Sequence, residues 1–133
     1  MKVAIIGYTQ KGSECMKALQ KMDFSPNDII VCENHLENLI CFWSDYPELQ
    51  AVKHMHDLMK HGCDVAIIAV EKTRLSQTLH DICAVGIQKV LFMEAFELDG
   101  EDIAQIFADA KKHVCVATDA FGVKQFIESC RSA

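Results

Sequence analysis

Gly7 and Gly12, with Glu33 roughly twenty residues beyond them, are the residues whose types and spacing point to a chemistry. The stretch Gly7-Tyr8-Thr9-Gln10-Lys11-Gly12 has the spacing of the G-x-G-x-x-G phosphate loop. In that loop the first glycine makes a tight turn, the second lets backbone N–H groups approach a pyrophosphate, and the third allows close helix–strand packing. Gly7 and Gly12 hold the outer positions. Thr9 stands at the middle one, where a β-branched side chain crowds a phosphate while its hydroxyl can donate to a phosphate oxygen. Glu33 falls where an acid accepts hydrogen bonds from an adenosine ribose. No Arg follows it in Glu33-Asn34-His35, so NAD(H) is expected over NADP(H), whose additional phosphate the carboxylate would repel. The plainer alternative is a packing role for Gly12 and a solvated strand-end role for Glu33.

Other chemistries fit less well. A Walker-type loop needs Lys-Ser/Thr where Ser13-Glu14 stands, and a phosphoacceptor receiver domain needs an acidic pair where Gly7-Tyr8 stands. His54, His56, His61 and Cys63 crowd together, but helical ligands at i, i+7 lie about 10 Å apart, so no metal is expected. The seven cysteines contain no Cys-x-x-Cys and fall mostly in apolar stretches, which reads as reduced core residues. Cys15 lies near the amino end of the first helix, where a dipole lowers a thiol pKa, yet its place in an apolar stripe favours burial. Glu71 and Lys72, after the fourth strand, are the charged pair placed where a nicotinamide or substrate would sit. The acidic residues between Glu94 and Asp102 read as a helix cap at Asp99 and its first turn. Phe42, Trp43 and Tyr46 form an aromatic cluster that fills core or, if exposed, marks a partner surface.

The elements that must position these residues alternate. Continuous apolar runs at residues 2–6, 29–32, 65–70, 89–93 and 114–118, with a weaker one at 49–52, predict strands buried on both faces. Between them, helical spacing appears at Cys15, Ala18, Leu19 and Met22; at Leu36, Leu39 and Ile40; and at Met55, Leu58 and Met59 before Gly62. The same spacing recurs at Leu75, Leu79, Ile82 and Cys83; at Ile103, Ile106, Phe107 and Ala110; and at Val123, Phe126, Ile127 and Cys130. Alternation with short loops and right-handed crossovers predicts a single α/β domain over residues 1–133, a doubly wound Rossmann-like fold with a mainly parallel sheet of five or six strands. A chain of 133 residues fills one core. No run is long enough to span a bilayer and strand-like sequence begins at once after Met1, so a cytoplasmic protein is expected, without a membrane partner. The net charge of −6 argues against nucleic acid as a partner.

Taken in order, Lys2-Val-Ala-Ile-Ile-Gly7, Val31-Cys32-Glu33, Cys63-Asp-Val-Ala-Ile-Ile-Ala-Val70, Gly86-Ile-Gln-Lys-Val-Leu-Phe-Met-Glu94 and the region from Val116 to Phe121 resemble the cofactor domain of the glucose–fructose oxidoreductase/inositol dehydrogenase family. The resemblance covers almost the whole chain. It implies an NAD-binding Rossmann domain whose dinucleotide is lined by Gly7, Gly12, Glu33 and the backbone near Ala69 and Val70; Tyr8 and Thr9 in the loop and Glu71 after the fourth strand complete the candidate cofactor-binding residues. The family places Glu-Lys-Pro after the fifth strand, whereas Glu94-Ala95-Phe96 stands here, and its substrate domain has no counterpart in the sequence. The catalytic residues are therefore unassigned. A stand-alone domain that binds a dinucleotide, without a complete active site of its own, is the expectation. The alternatives are a small oxidoreductase completed by oligomerisation with Glu71, Lys72 and Glu94 facing substrate, a ligand-free regulatory or interaction module, and a sensor of CoA or another nucleotide.

Overall fold

In a computed structural model of the chain, residues 1–93, 113–117 and 119–132 are described. Six strands, β1 (Val3–Ile6), β2 (Ile29–Cys32), β3 (Gln50–Val52), β4 (Val65–Ile68), β5 (Lys89–Phe92) and β6 (His113–Val116), form one sheet in the order β3-β2-β1-β4-β5-β6. Every pairing is parallel, with Val3 opposite both Ile29 and Val65. This is the doubly wound Rossmann-like order, reversing direction between β1 and β4. The all-apolar composition of β1, β2 and β4 follows from their place at the middle of the sheet, where all twelve of their residues are buried.

Alternation along each strand divides the core between the two faces of the sheet. Val3 and Ile5 join Ile29, Val31, Val65 and Ile67 against α1 (Gln10–Gln20) and the last helix, here α4 (Ala120–Ser132), through Met16, Leu19, Val123 and Ile127. Ala4 and Ile6 turn the other way, with Ile30, Ala66 and Ile68, against Leu58 and α3 (Leu75–Ala84), which contributes Leu75, Leu79 and Ile82. Among the described residues no helix is long and apolar enough to cross a membrane.

Three expectations need correction or restriction. The segment at Met55 is a 3-10 helix, Met55–Lys60, in which Leu58 is buried but Met59 is 63% exposed; Gly62 follows at a positive φ of 63°. The second helix, α2 (Leu36–Asp45), runs through the aromatic stretch and buries Leu39 and Phe42, whereas Leu36 and Ile40 are exposed. The expected Asp99 cap, the helix stripe from Ile103 to Ala110, and Glu94 lie outside the described residues.

Candidate functional site

The carboxyl ends of β1 and β4 meet at the Gly7 turn. Gly7 has a φ of +95°, and a Cβ there would sit 2.8 Å from the Ala69 carbonyl oxygen. A Cβ on Gly12 would strike the Gly7 carbonyl. Both glycines are thus required by backbone approach: one by conformation and contact, the other because the first turn of α1 lies directly on the strand end. Gly7 N–H donates to the Cys32 carbonyl at 2.9 Å, and Ala69 N–H donates to the Ile6 carbonyl at 2.8 Å.

Thr9, at the middle position, needs no glycine. Its backbone is extended, at φ −84° and ψ −172°, and it caps α1. The hydroxyl donates to the Ala69 carbonyl at 2.7 Å and accepts from Gly12 N–H at 3.4 Å. It fastens the loop to the end of β4 while satisfying an amide of the first helical turn. Beside it opens a cleft of about 430 Å³, lined on one side by Thr9, Gln10, Lys11 and Glu14, and on the other by residues that include Ala69, Val70, Glu71, Lys72 and Met93. Glu71 and Lys72 are exposed at its edge. A helix amino terminus facing such a cleft favours an anion through its N–H groups and dipole.

Tyr8 points elsewhere. Its ring is buried edge-on against Phe42 with centroids 5.2 Å apart, and its hydroxyl donates to Asp45 Oδ2 at 2.9 Å. Burial, with the Asp45 carboxylate working against a hydrogen bond to Ser13, pushes the phenol up to about 12. What Tyr8 gives the site is its amide, which donates to Glu33 Oε1 at 3.0 Å.

Glu33 is wholly buried. Besides Tyr8 N–H, its carboxylate accepts from Asn34 N–H at 2.9 Å, His35 N–H at 3.1 Å, Asn38 Nδ2 at 2.8 Å and Arg74 Nη1 at 3.2 Å. Burial by itself would raise this carboxyl. The amides of His35 and Tyr8, the Asn38 side chain and the Arg74 charge outweigh it and hold the group below the usual carboxylate range. The Arg74 guanidinium also donates through Nη2 to Asn34 Oδ1 at 2.9 Å, and Thr78 Oγ1 anchors the Arg74 carbonyl at 2.8 Å. Around this cluster lies a second recess of about 370 Å³, bordered by Cys32, Asn34, Lys53, His54, Arg74 and Asp81 among others.

Arg74 is the residue that sequence reading missed. The residues Asn34-His35 that follow Glu33 include no arginine, and the cation that pairs with Glu33 comes instead from the segment following β4. The strand order supplies the missing signal, since β2 and β4 flank β1 and their following loops converge over its carboxyl end. Among the described residues no group of three or more His, Cys, Asp or Glu is placed to hold a metal ion, and His54 stacks on His56 with ring centroids 5.6 Å apart. Burial pushes the Cys15 and Cys32 thiols up to about 12, so neither has the depressed pKa of a reactive thiol.

No protein-family model matches the sequence, and no curated protein sequence matches it. Solved structures do share the fold. Biliverdin reductase from Synechocystis sp. PCC 6803, crystallised with biliverdin and NADP+, superposes with a TM-score of 0.68 at 15% identity, over 86% of this chain and 37% of its own. A Gfo/Idh/MocA family oxidoreductase from Vibrio cholerae gives 0.68 at 15% identity, over 88% of this chain and 38% of its own. The WlbA dehydrogenase from Chromobacterium violaceum, crystallised with NADH and UDP-GlcNAcA, gives 0.67 at 17% identity, over 88% and 34%. The chain thus spans little more than a third of the length of these enzymes and carries the same Rossmann-like fold.

Proposed function

We propose that this chain binds a nicotinamide dinucleotide across the carboxyl edge of its sheet and has no complete active site of its own, serving to sense or deliver the cofactor. The observation that carries this reading is the Gly7–Gly12 turn at the point where strand order reverses, with a recess to each side of it. The pyrophosphate would lie over the first turn of α1, beside Thr9 and Gly12. Its adenosine half would reach toward Glu33 and Arg74, and its nicotinamide half would enter the cleft beside Ala69, Val70 and Glu71. The NADP+ and NADH bound to two of the structural neighbours support that class of ligand.

Titration calorimetry tests the reading directly. Either NADH or NADPH is expected to bind with a dissociation constant below about 1 mM, corresponding to about −4 kcal/mol. Failure of both to reach that affinity would overturn it.

A second reading, a small oxidoreductase completed by another copy of the chain, draws on Glu71 and Lys72, which stand exposed at the mouth of the cleft where a substrate could meet them. It requires an assembly that covers this edge. A monomer by light scattering at high concentration, with NADH present, would count against it.

A further inference from the structure

We propose that Arg74 and Lys53, with His54 beside them, form a subsite for a phosphate monoester on the adenosine ribose, so that the preferred ligand is a 2′- or 3′-phosphorylated adenosine cofactor. The inference rests on the nucleotide-binding reading above and reverses the expectation that Glu33 selects NAD(H).

Glu33 is the starting point. An acid at this position reads an unphosphorylated ribose by accepting hydrogen bonds from its hydroxyls. A carboxylate offers about four lone-pair sites, and the protein itself directs five donors at this one: three backbone amides, the Asn38 amide and Arg74. The group is wholly buried, so no acceptor face is presented to a sugar. Glu33 here organises the start of α2 and holds Arg74.

The charge that was expected to repel a phosphate is also answered. Arg74 lies 3.2 Å from the Glu33 carboxylate, and its contacts to Glu33 and Asn34 use Nη1 and Nη2. A guanidinium carries five N–H donors, so these two contacts leave capacity for a third oxygen ligand. Arg74 keeps 22% side-chain exposure on the wall of the recess. Lys53 and His54, which follow β3, approach the same space from the neighbouring strand end. Asp81, the acid on this wall, accepts from Gln77 Nε2 at 2.9 Å. An arginine fork beside an ammonium is suited to a dianionic phosphate and has no comparable partner in a ribose diol. Both the 2′-phosphate of NADP(H) and the 3′-phosphate of CoA offer that chemistry.

The test is calorimetric titration of the full chain with NADPH, NADH, CoA and dephospho-CoA. NADPH is expected to bind at least tenfold more tightly than NADH, with the ratio falling toward one in both Arg74→Ala and Lys53→Ala and with NADH affinity unchanged in Lys53→Ala. Arg74→Ala removes a partner from a buried carboxylate and can unfold the protein; Lys53, exposed at the rim, keeps the test valid in that event. NADH binding as tightly as NADPH would overturn the inference and leave the dinucleotide reading standing. A tenfold preference undiminished in both variants would overturn the assignment to these residues. If neither dinucleotide binds but CoA exceeds dephospho-CoA tenfold, the monoester subsite stands and the dinucleotide reading fails. Absence of binding by all four would overturn both.

Discussion

Glu33 shows how one residue can be legible in sequence while the partners that surround it are not. Its position after a buried strand was readable; its partners were not, because Arg74 is forty-one residues away and Tyr8 contributes a backbone amide that no side-chain motif encodes. The native carboxyl titrates below its unfolded value, so its stabilising contribution is complete above the ordinary glutamate range, near 4.3, and fades as the pH falls through the native value. Glu33→Gln is therefore expected to destabilise the protein by about 3 kcal/mol at neutral pH, since it leaves Arg74 without its buried counter-charge. The gap from wild type should shrink in acid, as followed by urea denaturation across that range; a pH-independent gap would contradict the assignment. At the turn, Gly12→Ala places a methyl against the Gly7 carbonyl. A loss of about 1–3 kcal/mol is expected in the same assay, where an unaltered midpoint would show that the helix can withdraw from the strand end.

At the scale of elements, the strands were the most readable part of the chain and α2 the least. A strand buried on both faces writes itself as an uninterrupted apolar run, as β1, β2 and β4 do. In α2, apolar residues occupy both sides of the helix, so periodicity could not say which side faces inward. Leu39 and Phe42 are buried, whereas Leu36, Ile40 and Trp43 are 64%, 55% and 47% exposed on a stripe spaced i, i+4, i+7. Replacing Leu36 and Ile40 with Gln should change the unfolding free energy by less than about 0.5 kcal/mol each. Phe42→Ala, which also removes the edge-on contact with Tyr8, should cost about 3–5 kcal/mol. Equal losses from the two classes of variant would mean that the outer stripe is covered in solution. The segment Met55–Lys60 failed differently: its apolar spacing fits an α-helix, but six residues between β3 and β4 are wound as a 3-10 helix that buries Leu58.

For the whole molecule, the strand order matters more than any single contact, because it brings the ends of β2, β1 and β4 to one edge and so decides which distant residues become neighbours. That order was foreseeable as a class from strand–helix alternation, while the side-chain meetings it creates were not. A ligand held along this edge at one hundred times its dissociation constant should add about 2.7 kcal/mol to the unfolding free energy. That corresponds to a rise in Tm of roughly 10 °C for a domain of this size, measurable by differential scanning fluorimetry. One buried atom at the edge offers a finer readout. Cys32 closes β2, is 5% exposed, and borders the recess beneath Arg74. Its thiol can meet a water-borne alkylating agent only when that recess opens, so the rate at which iodoacetamide labels Cys32, resolved from exposed Cys41 by peptide mass spectrometry, becomes a clock for local opening. An occupant of the recess would slow that clock while leaving the labelling of Cys41 at its own pace.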